Sequence, residues 1–493
     1  MESGASNGEP QTLGRSIGVL SGSALVSGLM IGSGIFSTPG LTLMLMGSAP
    51  ATTLMWVLGA LITFCGAASY IELGSMFTKS GGDQLYLDSA FRKPLGLIGF
   101  VFTFVCVEPA SIAANAVVFG EYVFYAALGP KADITNPYII EHLGWLERAV
   151  GLVGVTFAFG IQLFSVKWAL RAQTAFTWVK MMVLGLISIT GLVVLSGVTS
   201  IPRSPLWAEG FKGPTSAQQV CSTLFRVLWA YDGFKSLFFC LGELKNPRRN
   251  VIVCTASGIG MVTVLYVLTI VSYFTVISFD EAIASQEVLA GLWGLKVFGS
   301  TFGQIIIPVA VAISCLGSAA AAVFPFSRVI IETAHIGYIP LGHLWGHIHP
   351  KWGTPVYGLL LGYVLTLVYL LAPPPGEAFG LLVDIVGYPN WMFTGLVLVG
   401  LIYLRYTAPG LERPFRVWLP LTYVFITVAI FLTVFPFVPP LDGHILSKSG
   451  VPYFTAPLVA VFIMLLGIPT WYFQYYQKIQ DAGGIVEDEK PTQ

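Results

Sequence analysis

Long apolar segments recur along almost the whole chain, and they constrain its fold more than any other feature of the sequence. A helix needs roughly 20 apolar residues to cross the hydrocarbon of a bilayer. Twelve segments come close to that requirement or exceed it: 16–46, 51–76, 95–128, 147–165, 169–198, 217–241, 251–277, 301–331, 355–372, 377–404, 419–437 and 451–476. We therefore expect an all-α integral membrane protein with twelve transmembrane helices, here called spans 1 to 12.

The composition excludes an ordinary soluble protein. Of the 493 residues, 55% are hydrophobic and 10% are charged, whereas about 25% of an average soluble domain is charged. The mean hydropathy is +0.77. The 25 basic residues are balanced by 25 acidic ones, so the chain lacks the excess positive charge that a nucleic-acid partner would attract.

The two ends of the chain are polar. Residues 1–14 contain no apolar core behind a basic start, so we expect no signal peptide, and span 1 would direct the chain to the membrane. Residues 478–493 are similarly polar. We expect two disordered tails on either side of a twelve-helix domain at 15–477.

The distribution of Lys and Arg predicts the orientation in the membrane. With the N-terminus in the cytoplasm, sixteen of these residues fall in inside segments and six fall in outside segments. Because basic residues are enriched on the cytoplasmic side, we expect both termini there. The other three, Lys180, Arg226 and Lys235, lie within spans and need a separate explanation.

Cysteine and histidine provide no convincing metal site. All six cysteines fall in or beside apolar segments and are expected to be small buried hydrophobic residues: Cys65, Cys106, Cys221, Cys240, Cys254 and Cys315. Four histidines cluster between spans 8 and 9, with spacing too loose for a typical zinc site: His335, His343, His347 and His349. We expect no metal and no cofactor.

Spans 1 and 6 are both interrupted near the middle. Residues 30–36 read Met-Ile-Gly-Ser-Gly-Ile-Phe, and residues 229–234 read Trp-Ala-Tyr-Asp-Gly-Phe. Glycine lowers the cost of leaving helical geometry. Because the two spans are five apart, they cross the membrane in opposite senses. This pattern predicts an inverted repeat, 16–198 against 217–404, with a central substrate site and two peripheral helices at 419–476.

The chemistry of two broken helices suits a zwitterion. Freed amides at the start of a half-helix attract a carboxylate, and freed carbonyls at the end of a half-helix attract an ammonium. An amino acid carries both groups on one carbon. A single Gly-Ser-Gly could simply allow close helix packing, but two mid-span breaks five helices apart favour a site.

Seven short motifs follow one another along the chain, at residues 31–36 (Ile-Gly-Ser-Gly-Ile-Phe), 80–83, 166–168, 243–250, 265–269, 314–318 and 411–414. In this order they resemble the amino acid–polyamine–organocation superfamily and, within it, the L-type amino acid transporter group. The resemblance covers residues 15–478.

The resemblance implies roles for residues at both breaks. The amides of Gly32, Ser33 and Gly34, with the Ser33 hydroxyl, would hold the substrate carboxylate. Carbonyls would hold the ammonium, and Trp229 would close over the substrate as a gate. The carbonyls are those of Met30, Ile31, Trp229 and Asp232; Ala230 and Gly233 complete the span-6 segment, and Phe234, Val386 and Asn390 would line the side-chain pocket.

Lys180 lies in the middle of span 5. A lone ammonium there is costly, and such residues usually face the bundle interior with a partner. In related sodium-driven transporters a sodium ion bridges spans 1 and 8 at about this place, and the resemblance implies that the lysine replaces it. Ser314 and Cys315 would be the matching segment of span 8. The expected transport is sodium-independent, with proton coupling through loss of the lysine's proton as the alternative.

Three features depart from the family pattern. Glu108 in span 3 occupies a position where relatives often carry a basic or aromatic residue. Arg226 and Lys235 flank the span-6 break, and Asp232 replaces a small residue. We expect Glu108 to pair with Arg226, with proton carriage as the alternative, because a buried unpaired charge is costly.

Together, these expectations indicate a transporter of large neutral amino acids. It would work by alternating access, either as an exchanger or as an uptake system. A proton-coupled permease, for example for methionine, is the alternative. A channel would show rings of like charge, and an enzyme would show convergent catalytic groups in the membrane. Neither pattern is present in the sequence.

The resemblance also bears on partners and location. Mammalian relatives bind a single-span glycoprotein through a cysteine between spans 3 and 4, and residues 129–145 contain no cysteine. We therefore expect no disulfide-linked heavy chain. A free-standing, monomeric microbial or fungal permease of the plasma membrane is the expectation.

Overall fold

The computed structural model consists of helices joined by loops, with no β-strand in the part of the chain that it describes. That part comprises residues 15, 17–94, 96–105, 108–130, 134–164, 166–214, 216–350, 352–374, 376, 378–439 and 452–476. The two predicted tails and Cys106 lie outside it, as does the side chain of His335. The remaining five cysteines are free thiols.

The helices follow one another in the order that the apolar segments predict. Spans 1 to 6 comprise Val19–Met30 with Gly34–Met46, Ala49–Met76, Leu97–Val105 with Glu108–Leu128, Pro137–Phe164, Val166–Ser196, and Ala217–Tyr231 with Ser236–Phe239. Spans 7 to 12 comprise Pro247–Val276, Ile307–Ile336, Val356–Leu371, Ala378–Thr407, Leu419–Val434 and Thr455–Trp471.

The count of twelve depends on how the broken helices are treated. Within the described residues, nine helices are each long and apolar enough to cross a bilayer, and the bent pair of span 1 makes ten. Span 6 is divided into two shorter helices, and span 9 has only 16 residues, about 24 Å of helix. Together they complete the twelve-span fold.

Both predicted breaks are present. The two halves of span 1 are bent by 41° around residues 31–33. Span 6 leaves helical geometry after Tyr231, and Gly233 adopts a φ of +108°, which is accessible to glycine at little cost. Spans 1 and 6 are thus the broken pair of a five-plus-five inverted repeat.

Some boundaries and short helices differ from the predictions. Span 4 begins at Pro137, ten residues before the predicted start, because its first turns carry polar residues that an apolar window does not include. A short helix, Asp83–Ala90, connects spans 2 and 3 and is here called the linker helix. Three further short helices were not predicted: Phe279–Ala284, Leu289–Thr301 and Gly342–Trp345.

The last two spans lie at the periphery. In the most apolar stretch of span 11, 22% of the residues are buried within the protein. The corresponding fraction in span 10 is 72%. Because lipid accepts apolar side chains as readily as a protein interior does, low burial marks a lipid-facing helix. The interior of the bundle is therefore formed by the earlier spans, which contain the two breaks.

Candidate functional site

The two broken spans meet at their breaks. A Cβ added to Gly34 would lie 2.5 Å from the Cα of Ala230, and one added to Gly233 would lie 2.9 Å from the backbone nitrogen of Met30. Only glycine allows the backbones to approach so closely. The glycines of both motifs therefore bring the broken segments of spans 1 and 6 together.

Tyr266 of span 7 contacts the ends of both half-helices. Its hydroxyl lies 2.7 Å from the carbonyl oxygen of Met30 and 3.0 Å from that of Ala230. A tyrosine hydroxyl can donate to a carbonyl that a broken helix leaves unpaired. Tyr266 belongs to the 265–269 motif, but the sequence did not indicate this role.

A cavity of about 120 Å³ lies beside the breaks. Its walls come from spans 1, 3, 6, 8 and 10 and from the linker helix. The lining residues are Leu29, Met30, Gly32, Ser33, Gly34, Asp83, Phe102, Glu108, Ser111, Asn115, Trp229, Asp232, Gly233, Lys235, Ser236, Phe239, Ser318, Ala322, Pro325, Val386 and Asn390. Most of the residues predicted for the substrate site thus share one cavity.

Two amides of the span-1 break have partners within the protein. The Gly32 amide donates to the Met30 carbonyl over 2.8 Å, and the Ser33 amide donates to Oδ1 of Asn115 over 3.2 Å. Asn115 therefore lies where a substrate carboxylate is expected. Asn115 was not among the predicted residues. Its polar side chain within the apolar span 3 was the feature of the sequence that could have indicated a site residue.

Trp229 lies across the span-1 break. Its indole nitrogen donates to the Ser33 hydroxyl over 3.4 Å, and its ring meets Phe379 edge-on at a centroid distance of 6.4 Å. The indole thus contacts both span 1 and span 10 at the cavity wall. This position is compatible with the gating role that the resemblance implies.

Three carboxylates and one ammonium face the cavity: Asp83, Glu108, Asp232 and Lys235. The Lys235 ammonium donates to Oδ2 of Asp83 over 3.0 Å, to Oδ1 of Asn390 over 2.7 Å and to the Thr394 hydroxyl over 3.0 Å. An ammonium has three donors, so these bonds occupy all of them. The amide of Asn390 lies 3.5 Å from Asp232.

Two side-chain predictions need correction. Arg226 does not pair with Glu108; it lies 3.8 Å from Asp384 of span 10. Phe234 is fully buried and packs against Tyr70 at a centroid distance of 5.7 Å, so it does not line the cavity. Both errors have one cause, since the sequence does not reveal which way a side chain points after a break.

Two further residues of the breaks also lie outside the cavity lining. Ile31 is buried, and its carbonyl oxygen accepts a hydrogen bond from the Ser318 hydroxyl over 3.0 Å. Ala230 packs against Gly34. The carbonyls of Met30 and Ile31, predicted to hold an ammonium, thus each accept a hydrogen bond from a protein hydroxyl.

Lys180 lies at the junction of spans 1, 5 and 8. Its ammonium donates to the Gly28 carbonyl over 2.7 Å and to the Ser318 hydroxyl over 2.5 Å. The lysine is therefore linked to the first half of span 1, just before the break, and through Ser318 to Ile31. The span-8 partner is Ser318, one helical turn after the predicted Ser314 and Cys315, which are buried.

The fold and the cavity define a class of protein: a polytopic membrane carrier with a central site between two broken helices. The chain belongs to the amino acid permease family, whose model matches residues 17–465. It is an amino acid transporter and not an enzyme.

Relatives of similar length extend the match over most of the chain. The high-affinity methionine permease of Saccharomyces cerevisiae is 28% identical over 460 residues, covering 92% of this chain and 78% of the relative. The b(0,+)-type amino acid transporter 1 of Mus musculus is 30% identical over 474 residues, with coverage of 95% and 89%. The mouse Asc-type amino acid transporter 1 is 31% identical over 453 residues, with coverage of 90% and 82%.

Proposed function

We propose that this protein carries large neutral amino acids across the plasma membrane by sodium-independent exchange or uptake, with alternating access around the central cavity. The observation that carries the proposal is the position of Lys180. Its ammonium bonds to Gly28 of span 1 and, through Ser318, to span 8, beside the break.

A fixed ammonium there can supply the electrostatic attraction that a sodium ion would supply. It also repels a second cation from the same small volume. Because the lysine is covalently attached, it cannot leave during the cycle and cannot couple transport to a sodium gradient.

The substrate would lie between the breaks. Its carboxylate would approach the amides of Gly32, Ser33 and Gly34 in place of Asn115, and its ammonium would face the carbonyls at the ends of the half-helices. Trp229 would close the cavity on the outside. Val386 and Phe102 offer apolar surface to the substrate side chain, which favours a large neutral amino acid.

Orientation and partners follow from the sequence. We infer that both termini are cytoplasmic, in agreement with the bias of basic residues. We also infer a protein without a disulfide-linked heavy chain, since residues 129–145 contain no cysteine.

Substrate uptake into proteoliposomes tests the proposal directly. Counterflow of a panel of amino acids should be equal in sodium and in choline at fixed pH. Uptake that collapses in choline would contradict the role proposed for Lys180. The second candidate function is a proton-coupled permease, which the carboxylates of the cavity favour. Uptake measured with an inward proton gradient distinguishes it from sodium-independent exchange. Accumulation driven by that gradient would support it.

Two variants test the location of the site. Gly34→Val should abolish substrate binding because its Cβ would collide with Ala230. Gly185→Ala in span 5 is the matched control, since an added Cβ there meets no atom within 4 Å.

Trp229→Ala should slow uptake and weaken apparent affinity. Unchanged rates and affinity would reduce Trp229 to a packing role.

A further inference from the structure

One face of span 3 forms a polar track along the cavity. Glu108, Ser111 and Asn115 all line it, and all three lie in the continuous helix Glu108–Leu128. At 1.5 Å per residue, Glu108 and Asn115 are separated by about 10 Å along the helix axis. Asn115 bonds to the Ser33 amide, so Glu108 lies at the opposite end of the track from the span-1 break.

The charges around the cavity do not balance. Lys235 forms an ion pair with Asp83 at 3.0 Å, and its other two donors go to Asn390 and Thr394. Among the described residues, neither Glu108 nor Asp232 lies within ion-pairing distance of a basic side chain. Two carboxylates therefore face the cavity without an opposite charge of their own.

The α-ammonium of an amino acid can compensate one of these carboxylates. Asp232 follows the last residue of the first half of span 6, next to the carbonyls that would face this ammonium, and is therefore its natural partner. Glu108 then remains at the far end of the cavity, in the first turn of its helix, where a buried carboxylate that forms no ion pair is costly. A second positive charge on the substrate would remove that cost.

We propose that Glu108 forms a cation-accepting subsite and that the transporter therefore also takes basic amino acids, with the terminal ammonium or guanidinium of the substrate at Glu108. This inference rests on the proposed function, since it assumes that the α-carboxylate binds at the span-1 break. An extended four-carbon side chain places its terminal nitrogen roughly 6 Å from its Cα, which suits the length of the track.

Apolar residues of the cavity wall suit the stem of such a side chain. Phe102, Ala322 and Val386 line the cavity and can cover the methylene groups of lysine, whose charged head remains at the polar end. An acidic substrate is disfavoured, because Glu108 and Asp232 would repel it and the donors of Lys235 are all occupied.

The test compares lysine with norleucine, which is similar in length but lacks the terminal ammonium. Both compete against counterflow of labelled leucine in proteoliposomes that contain the full-length protein. Lysine should inhibit the wild type. In Glu108→Gln the lysine concentration for half-inhibition should rise about tenfold or more, because a charge-assisted bond is lost, while norleucine should inhibit as well as before. Glu108→Asp should retain part of the lysine preference.

Glu412→Gln is the control, since Glu412 is an exposed carboxylate that does not line the cavity. This substitution should leave the inhibition by lysine and by norleucine unchanged. If leucine exchanges but lysine never competes, or competes equally in Glu108→Gln, the subsite is refuted and the proposed function stands. If Glu108→Gln removes only accumulation driven by a proton gradient, the residue is a proton carrier and the inference also fails. Absence of any amino acid exchange would instead refute the proposed function.

Discussion

Two of the lysines whose side chains the structure describes are buried, and their surroundings differ. Lys180 is 1% exposed and Lys235 is 6% exposed. Lys180 bonds to neutral groups, the Gly28 carbonyl and the Ser318 hydroxyl. Lys235 bonds to a carboxylate, Asp83, as well as to Asn390 and Thr394. The same ammonium thus meets dipoles at one position and an opposite charge at the other.

The difference indicates two different roles. The charge of Lys235 is neutralised by Asp83, so this pair links the span-6 break to the linker helix with little net field. Lys180 instead donates to two dipoles, the Gly28 carbonyl and the Ser318 hydroxyl, beside the span-1 break. The role proposed for Lys180, in place of a mobile cation, rests on this second arrangement.

Lys235→Met should have the largest effect on stability. It leaves the buried Asp83 without its ammonium, and removing one partner of a buried pair typically costs about 3–5 kcal/mol. Chemical denaturation of the purified protein in detergent measures the loss. The double variant Asp83→Asn with Lys235→Met should recover much of it. A double variant as unstable as the single one would show that Lys235 acts through packing rather than charge.

Lys180→Met should destabilise less but impair transport more selectively. The Gly28 carbonyl and the Ser318 hydroxyl lose a donor, at a cost of about 1–3 kcal/mol, while no carboxylate is left unpaired. Counterflow should nevertheless be nearly lost, since spans 1, 5 and 8 are no longer linked. Ser318→Ala, which removes one of the two acceptors, should give an intermediate rate. Normal transport by Lys180→Met would refute the assigned role.

Asp88 extends the comparison to a carboxyl group outside the membrane spans. It lies on the linker helix and accepts a hydrogen bond of 3.2 Å from the Tyr338 hydroxyl. Burial raises the pKa of Asp88 to about 7, above the unfolded value of about 3.9. The native state therefore retains a proton that the unfolded chain has lost, and stability should fall as pH rises from about 4 to 7.

Thermal unfolding at several pH values tests this expectation. Asp88→Asn should flatten the decline across that window, because asparagine does not titrate and fits the same space. If wild type and variant lose stability in parallel, other groups cause the pH dependence.

An exposed ion pair should show the smallest effect. Arg248 and Glu412 lie 2.9 Å apart, with side chains 54% and 60% exposed. Solvent screens such pairs, and their contribution is typically about 0–1 kcal/mol. Glu412→Gln should therefore leave the denaturation midpoint almost unchanged. A loss comparable to that of Lys235→Met would show that burial is not what distinguishes the pairs.

The sequence by itself determined the architecture. The length of the apolar segments, the two glycine-containing breaks and the mid-span position of Lys180 are all properties of contiguous residues. Each is fixed by a local cost: the thickness of the hydrocarbon, the unpaired backbone groups of a broken helix and the burial of a charge. Such costs can be read from a short stretch of chain, and so the fold and the family could be predicted.

The tertiary structure alone decided which side chains meet. Ser318 rather than Ser314 bonds to Lys180, Arg226 pairs with Asp384 rather than with Glu108, and Asp83 from the linker helix reaches Lys235. One step along a helix turns a side chain by about 100°, and a break changes the direction again. Partners that lie more than a hundred residues apart therefore depend on the rotation and packing of whole helices, which no local pattern specifies.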